Sequence, residues 1–303
     1  MTTTHQTPLS VGVIGLGAMG LGMASSLRRA GHHVSVCDVR LEAAEAFAKN
    51  GGTACKTPSE LAQVADIIVS VVVNADQTEQ ILFGEHGAAP HMKPGTLFIM
   101  CSTVAPSWSV ALEKRLNDLG FLYLDAPISG GAAKAASGEM TMMTSGQAAA
   151  YAKAGNTLES MAAKVYKLGD RAGYGSKVKI INQLLAGVHI AAAAEAMALG
   201  LREGVEADAL YEVITNSAGN SWMFENRMAH VLKGDYTPLS AVDIFVKDLG
   251  LVLDTARATK FPLPLSATAH QMFMQASSAG HGREDDAAAV SYTHLTLPTK
   301  RIV

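Results

Sequence analysis

Cysteine is scarce in this chain and unpatterned. Cys37, Cys55 and Cys101 form an odd, widely spaced set with no CxxC and no metal-ligand spacing, so they read as reduced thiols in the core of a cytoplasmic protein. The ten histidines show no metal-like pairing and no serine elbow accompanies them. Neither a metal site nor a Ser-His-Asp triad is expected. Charge of one sign is lacking too: charged residues make up 17% of the chain and the net charge is -3. That argues against a nucleic-acid-binding or membrane-surface protein and leaves small acidic partners to be met by local groups. The opening MTTTHQTPLS has neither a basic n-region nor an apolar h-region, so no secretory signal is expected. Only the stretch 184–201 is long enough to raise a membrane question, and His189 and Glu195 interrupt it. It reads as a buried helix. Internal repeats, charge blocks and low-complexity linkers are absent from the sequence.

What is present is ample core material. With 303 residues, 49% of them hydrophobic, two domains are the natural expectation. To about Leu168, apolar runs alternate with helix-period segments, the pattern of a mostly parallel α/β sheet. Strands are expected at 11–15, 33–39, 66–73, 97–101 and 121–126, with shorter ones at 140–146 and 164–169 extending the same sheet. Between the first two, residues 18–30 carry Met19, Met23 and Leu27 at a four-residue step, with Gly31 as a C-cap. After Gly175 the pattern turns alanine-rich and helical. A long helix is expected over 176–203, then helices near 206–217, 222–232, 240–259 and 264–279.

Gly15-Leu16-Gly17-Ala18-Met19-Gly20 is a GxGxxG directly after a strand and at the opening of a helix, the context in which that weak motif becomes informative. Gly15 allows a tight turn, Gly17 lets the backbone approach a pyrophosphate, and Gly20 permits close helix packing. Asp38, at the end of the second strand, is placed to bond the adenosine ribose hydroxyls, and its charge disfavours a 2′-phosphate, so NAD is expected over NADP. Arg40 tempers that expectation. The fold class is therefore α/β, an N-terminal Rossmann-type doubly wound sheet followed by an all-α C-terminal domain. The division is expected as 1–172 for the dinucleotide-binding domain and 173–290 for the helical one. Ser102 and Thr103 follow another strand, either beside the cofactor or as caps of the next helix.

A second glycine-rich turn, Ser129-Gly130-Gly131, stands far downstream, ahead of a small-residue run that suits a helix. Alone it is either a cradle for a carboxylate or a bare strand-to-helix bend. Further on, Lys179 and Gln183 share one face of the long helix, with Asn182 beside them. A lysine on an apolar helix either snorkels to water or serves a polar pocket. Lys177 competes with Lys179 but has Ile181 at i+4 rather than an amide, which favours Lys179 as the functional residue. Ser176 and Lys179 also spell S-x-x-K, discounted because no K-T-G or S-D-N accompanies it. Lys247-Asp248 on its own reads as a solvated ion pair.

Taken together, GLGAMGLGMASSLRRAG at 15–31, DAPISGGAAKAASGEM at 125–140, GYGSKVKIINQ at 173–183 and FVKDLG at 245–250 resemble the four ordered motifs of the β-hydroxyacid dehydrogenase family, over nearly the whole chain to about Val290. VVNADQ at 72–77, GEMTMMTSG at 138–146 and AGNSWMFENRM at 218–228 look most like its L-threonate-oxidising branch, which acts on a four-carbon sugar acid at the 2-hydroxyl with NAD. The resemblance implies Lys179 as the catalytic lysine. It also implies Ser129, Gly130, Gly131 and Gln183 at the substrate, and Gly15 to Gly20, Asp38, Val73, Asn74, Thr103 and Lys247 at the cofactor. Relatives resemble homodimers or homotetramers built through the helical domain. Most of the family has asparagine where this chain has Gln183, a displacement of the amide by one methylene. The ending SYTHLTLPTKRIV, residues 291–303, departs from the family's ending and is set apart as an atypical tail without assigned function.

Overall fold

The computed structural model describes residues 9–292 and divides into two compact units between Lys179 and Ile180. The sequence places that division earlier, at 172/173. In the first unit the strands are β1 (Ser10–Ile14), β2 (His33–Cys37), β3 (Thr53–Ala54), β4 (Ile67–Ser70), β5 (Leu97–Met100), β6 (Leu122–Asp125), β7 (Ile128–Ser129), β8 (Met140–Thr144) and β9 (Ala162–Lys167). Its helices are α1 (Gly20–Arg29), α2 (Leu41–Ala48), α3 (Pro58–Val64), α4 (Ala75–Phe83), α5 (Pro106–Asp118), α6 (Gly131–Ser137), α7 (Ala148–Ala154) and α8 (Thr157–Met161).

Strands β3-β2-β1-β4-β5-β6 form a parallel sheet in that order. Alternate residues explain why its strands are continuous apolar runs. Val11, Val13, Ile67, Val69, Leu97 and Ile99 enter one core layer, whereas Ile14, Ile68, Phe98 and Met100 enter the other. Successive side chains of a strand point to opposite faces, so a sheet covered by helices on both sides needs apolar residues at every position. The chain leaves β1 toward β2 on one side and returns to β4 on the other. The crevice at the strands' carboxyl ends opens at that reversal, where doubly wound sheets bind ligands.

One expectation is corrected. The segments at 140–146 and 164–169 do not extend the main sheet but, with β7, form a separate sheet in the order β7-β8-β9. The reason lies in the chain between β6 and β8. After Asp125 it makes the short strand β7, turns through Gly130 and Gly131 into α6, and comes back antiparallel to β7. The link to the main sheet is a single antiparallel bridge, Asp125 with Ser145.

The second unit holds the rest of α9 (Tyr174–Arg202), followed by α10 (Ala207–Thr215), α11 (Trp222–Lys233), α12 (Val242–Ala258) and α13 (Pro264–Ala276). A π turn at Ser277–His281 and a 3-10 segment at Asp286–Tyr292 complete the described chain; of the tail, residues 293–303 lie outside the described residues. Ile190, Phe245, Leu249 and Phe273 centre one apolar cluster, and Met197, Phe224, Met228 and Val231 another. Arg227 of α11 reaches Asp286 through two guanidinium nitrogens, Nη2 donating to Oδ2 at 3.0 Å, a buried bidentate pair.

α9 is not the uniformly buried helix that its composition implies. Ile190, Ala194 and Met197 are covered, but Ile181, Leu185 and Leu199 are 58%, 51% and 62% exposed. It is long and apolar enough to cross a membrane by length and composition, yet one stripe of it lies in a packed core.

Candidate active site

The first unit's site grows from the end of β1. Gly15 has φ 96°, and a Cβ there would lie 2.6 Å from the Val71 carbonyl oxygen, so the tight turn requires glycine. A Cβ on Gly20 would meet the Gly15 carbonyl oxygen. At Gly17 the space where a Cβ would stand is open. α1 begins at Gly20 with no side-chain cap, and the Leu21 N–H donates to the Gly17 carbonyl at 3.3 Å. Asp38 braces this loop: Oδ2 accepts from the Leu16 N–H at 2.6 Å, and Oδ1 from the Arg40 N–H at 2.9 Å. The Arg40 guanidinium lies 3.4 Å from the same carboxylate and is largely exposed.

Val73 and Asn74 follow β4. Asn74 Oδ1 accepts from the Gln77 N–H at 2.8 Å and so caps α4, while Val73 is exposed. Ser102, after β5, donates its hydroxyl to the Val72 carbonyl at 2.6 Å. It does not cap the next helix, which starts at Pro106 behind Ala105 with no side-chain cap. Thr103 stands half-buried beside it. The glycine loop, Asp38, Val73-Asn74 and Ser102-Thr103 thus all lie at the carboxyl edge of one parallel sheet. These groups fit a dinucleotide.

The next strand, β6, leads into the second glycine turn. Gly130 has φ 142° and Gly131 φ 79°, and Gly130 is the N-cap of α6. α6 packs hard against α1: a Cβ on Gly22 would lie 2.6 Å from the Ala136 nitrogen, and the Ser26 hydroxyl donates to the Ala135 carbonyl at 3.1 Å. The turn is therefore tied to the helix that follows the cofactor loop.

At the start of α9 the two competing lysines part. Lys177 is exposed, its Nζ 4.8 Å from the centre of the Tyr174 ring. Lys179 is buried, 7% exposed. The first turn of α9 is held from below by Asp125, the last residue of β6, which is fully buried. Its Oδ2 accepts from the Gly173 and Ser176 N–H groups, both at 2.9 Å, and from the Ser145 hydroxyl at 3.2 Å; Oδ1 accepts from the Ser176 hydroxyl at 2.7 Å. Burial pushes this carboxyl up, and the hydrogen bonds from the Ser176 hydroxyl, the two N–H groups and the Ser145 hydroxyl offset only part of that rise. Ser176 is thus a capping donor, in keeping with discounting S-x-x-K.

In the second unit, Gln183 and Lys247 meet on one carboxylate. Gln183 Nε2 donates to Asp248 Oδ2 and Lys247 Nζ to Asp248 Oδ1, both at 2.6 Å, and Asn182 Nδ2 donates to Gln183 Oε1 at 3.1 Å. The expectation of a solvated Lys247-Asp248 pair is corrected here. Asp248 is 1% exposed because it sits on the core-facing stripe of α12, beside Phe245, Leu249 and Val252.

Residues 10–169 match the family described as the NAD binding domain of 6-phosphogluconate dehydrogenase, and residues 173–293 the family described as NAD-binding of NADP-dependent 3-hydroxyisobutyrate dehydrogenase. The chain is 66% identical to the L-threonate dehydrogenase of Cupriavidus necator over 96% of this chain and 98% of that one. It belongs to the β-hydroxyacid dehydrogenase family. L-threonate dehydrogenase of Escherichia coli K12 is 53% identical over 95% of this chain and 96% of its own. A solved 3-hydroxyisobutyrate dehydrogenase from Salmonella typhimurium superposes with a TM-score of 0.89 at 52% identity, covering 93% of this chain and 99% of that one. The protein is a hydroxyacid dehydrogenase with NAD(P)-binding domains and a Rossmann-like fold ahead of a mostly helical domain.

Within this β-hydroxyacid dehydrogenase, sequence reasoning left two buried carboxylates out of the candidate site, Asp125 and Asp248. Asp125 opens the DAPISGG motif and Asp248 sits in FVKDLG. An acid that ends a strand inside a motif, or breaks an apolar helix stripe, is the signal that points to them.

Proposed function

We propose that the protein oxidises L-threonate at the 2-hydroxyl with NAD, giving the 2-oxo acid in sugar-acid catabolism. The observation that carries this reading is the set of five L-threonate dehydrogenases that match at 51–66% identity over nearly their full length, against 33% for the 3-hydroxyisobutyrate dehydrogenase of mouse. NAD held at the loop from Gly15 to Gly20 and at Asp38 would supply the acceptor for the hydride that leaves C2. Lys179 Nζ takes the hydroxyl proton, leaving C2 as a carbonyl, and in reduction the protonated lysine returns it. The N–H groups at Ser129, Gly130 and Gly131 hold the carboxylate, which fixes where C2 lies. Lys179 is buried, so its amine is kept from bulk water.

Initial rates of oxidation of L-threonate, D-threonate, erythronate, 3-hydroxyisobutyrate and glycerate, and of reduction of tartronate semialdehyde, with each cofactor, test the substrate. The highest kcat/KM is expected for L-threonate with NAD. A preference for 3-hydroxyisobutyrate, the name carried by the Salmonella relative, or for glycerate or tartronate semialdehyde, would replace the substrate and keep the site.

NAD is preferred over NADP in this reading because the Asp38 carboxylate, bonded to the Leu16 N–H, would repel a 2′-phosphate. Asp38→Asn keeps an acceptor for that N–H and removes the charge. It is expected to raise the NADP-to-NAD ratio of kcat/KM by about tenfold. An unchanged ratio would mean that Asp38 does not set the preference.

A homodimer or homotetramer accords with the exposed Ile181, Leu185 and Leu199 on α9. A cytoplasmic setting accords with three buried free thiols, the Cys37 thiol pushed up to about 12 by burial and thereby kept unreactive.

A further inference from the structure

We infer that Asp125 is a positioning residue for Lys179, acting by pinning the first turn of α9 to the end of β6. Four donors from two segments converge on this one carboxylate: the N–H groups of Gly173 and Ser176, the Ser176 hydroxyl, and the Ser145 hydroxyl. Ser145 also accepts from the Gly175 N–H at 2.9 Å, and its backbone pairs with Asp125 in both directions, at 2.8 and 3.0 Å. The helix's leading N–H groups, which the helix itself cannot satisfy, are thus capped by a carboxylate 48 and 51 residues away in sequence. A cap of this kind does more than stabilise the helix. It fixes the axial position and rotation of the first turn of α9, up to Lys179, relative to β6.

Two functional groups hang from the ends of that joint. Lys179 is one turn past Ser176, and the Ser129-Gly130-Gly131 turn is the continuation of β6 through Pro127 and Ile128. In the proposed reaction one holds the carboxylate and the other takes the proton, so their spacing sets the alignment of C2. Displacement of a reacting group by an ångström costs up to about 100-fold in rate. The inference rests on the reading of Lys179 as the proton acceptor. It makes no demand on the charge of Asp125, only on its acceptor oxygens.

The test follows from that last point. Asp125→Ala leaves the N–H groups unmet, whereas Asp125→Asn restores an acceptor to them and turns its NH2 toward the Ser176 oxygen, which accepts equally well. Steady-state rates are measured on L-threonate with NAD, along with the Kd of NADH by fluorescence and Tm. Asp125→Ala is expected to lower kcat by about 10 to 100-fold with L-threonate KM and NADH Kd within twofold, and Asp125→Asn to recover to within about threefold of the parent. In a Lys179→Ala background, Asp125→Ala is expected to cost nothing further, since the group it positions is gone. Asp125→Asn as slow as Asp125→Ala would show that charge is what counts, and losses that multiply in the double variant would show an independent role. Either overturns the inference while leaving an impaired Lys179→Ala intact. A Lys179→Ala enzyme with parental kcat removes both the lysine reading and this one. If Asp125→Ala does not fold, Ser145→Ala/Ser176→Ala takes its place, losing two hydroxyl partners of the carboxylate; a parental kcat in that variant overturns the inference.

Discussion

Replacing Lys179 with alanine is expected to cut turnover on L-threonate by roughly 10² to 10⁴-fold, the range that a positioned proton-transfer group supplies. Binding of the dinucleotide should stay within about twofold, because the loop from Gly15 to Gly20 and its brace Asp38 are built on β1 and β2 and owe nothing to the side chain of Lys179. The internal control is Lys177→Ala. That lysine is two residues away on the same helix turn, but it is exposed and lies over the Tyr174 ring. Its loss should leave kcat within twofold, since an exposed cation-π contact is worth only about 0.5–1 kcal/mol. Comparing the pair separates chemistry from a general need for positive charge at the start of α9. Stopped-flow rates and NADH titrations read both quantities. Near-parental turnover in Lys179→Ala, or an equal loss in Lys177→Ala, would remove Lys179 from the reaction.

The sequence made local features legible and left nonlocal ones dark. Strands β1, β4 and β5 fill both core layers, so apolar runs alone marked them, and the glycine loop was readable because its turn and helix start are specified within six consecutive residues. The seating of β8 and β9 was not readable. Whether Met140–Thr144 joins the main sheet or a second one depends on β7, two residues long, and on a turn whose direction is set by Gly130 and Gly131. A strand that short has too little pattern to announce itself.

The same distinction separates Lys179 from Asp125. The lysine could be chosen over Lys177 by helical spacing, a relation within four residues. The carboxylate that caps its helix is joined to it only by bonds spanning 48 and 51 residues, and no periodicity encodes such a pairing. Asp248 was misjudged for a related reason. Next to Lys247 it reads as half of an exposed pair, and only the packing of α12 with Phe245, Leu249 and Val252 in its buried stripe shows that it faces inward. Gln183 gains a partner the sequence did not offer, its amide held by that buried carboxylate.

Gly130→Val is expected to lower kcat/KM for L-threonate by about 10 to 100-fold with the NADH Kd within about twofold. Gly130 holds φ 142° and ψ −17°, a conformation that a β-branched residue rarely adopts. Forcing such a residue there costs of order 1–3 kcal/mol, and each 1.4 kcal/mol is about a factor of ten. What decides the outcome is where the strain goes. α6 cannot slide to relieve it, because the Gly22 backbone lies directly against residues 135 and 136 and the Ser26 hydroxyl holds the Ala135 carbonyl. On the other side, β7 is paired with β8 through Ile128 and Ser129. Side-chain contact adds to it, since a Cβ would stand 3.1 Å from the Lys134 Cβ, which the α6 backbone holds in place. The peptide groups flanking Gly130 must therefore rotate, and these carry the N–H groups assigned to the carboxylate. Loss should appear in KM as well as kcat, which distinguishes this variant from Lys179→Ala and from the Asp125 series. Gly17→Val supplies the opposite pattern: its Cβ enters open space at the cofactor loop, so dinucleotide binding should suffer first. If Gly130→Val instead weakened NADH as strongly as L-threonate, the turn would belong to the cofactor's site, and the carboxylate would need another holder.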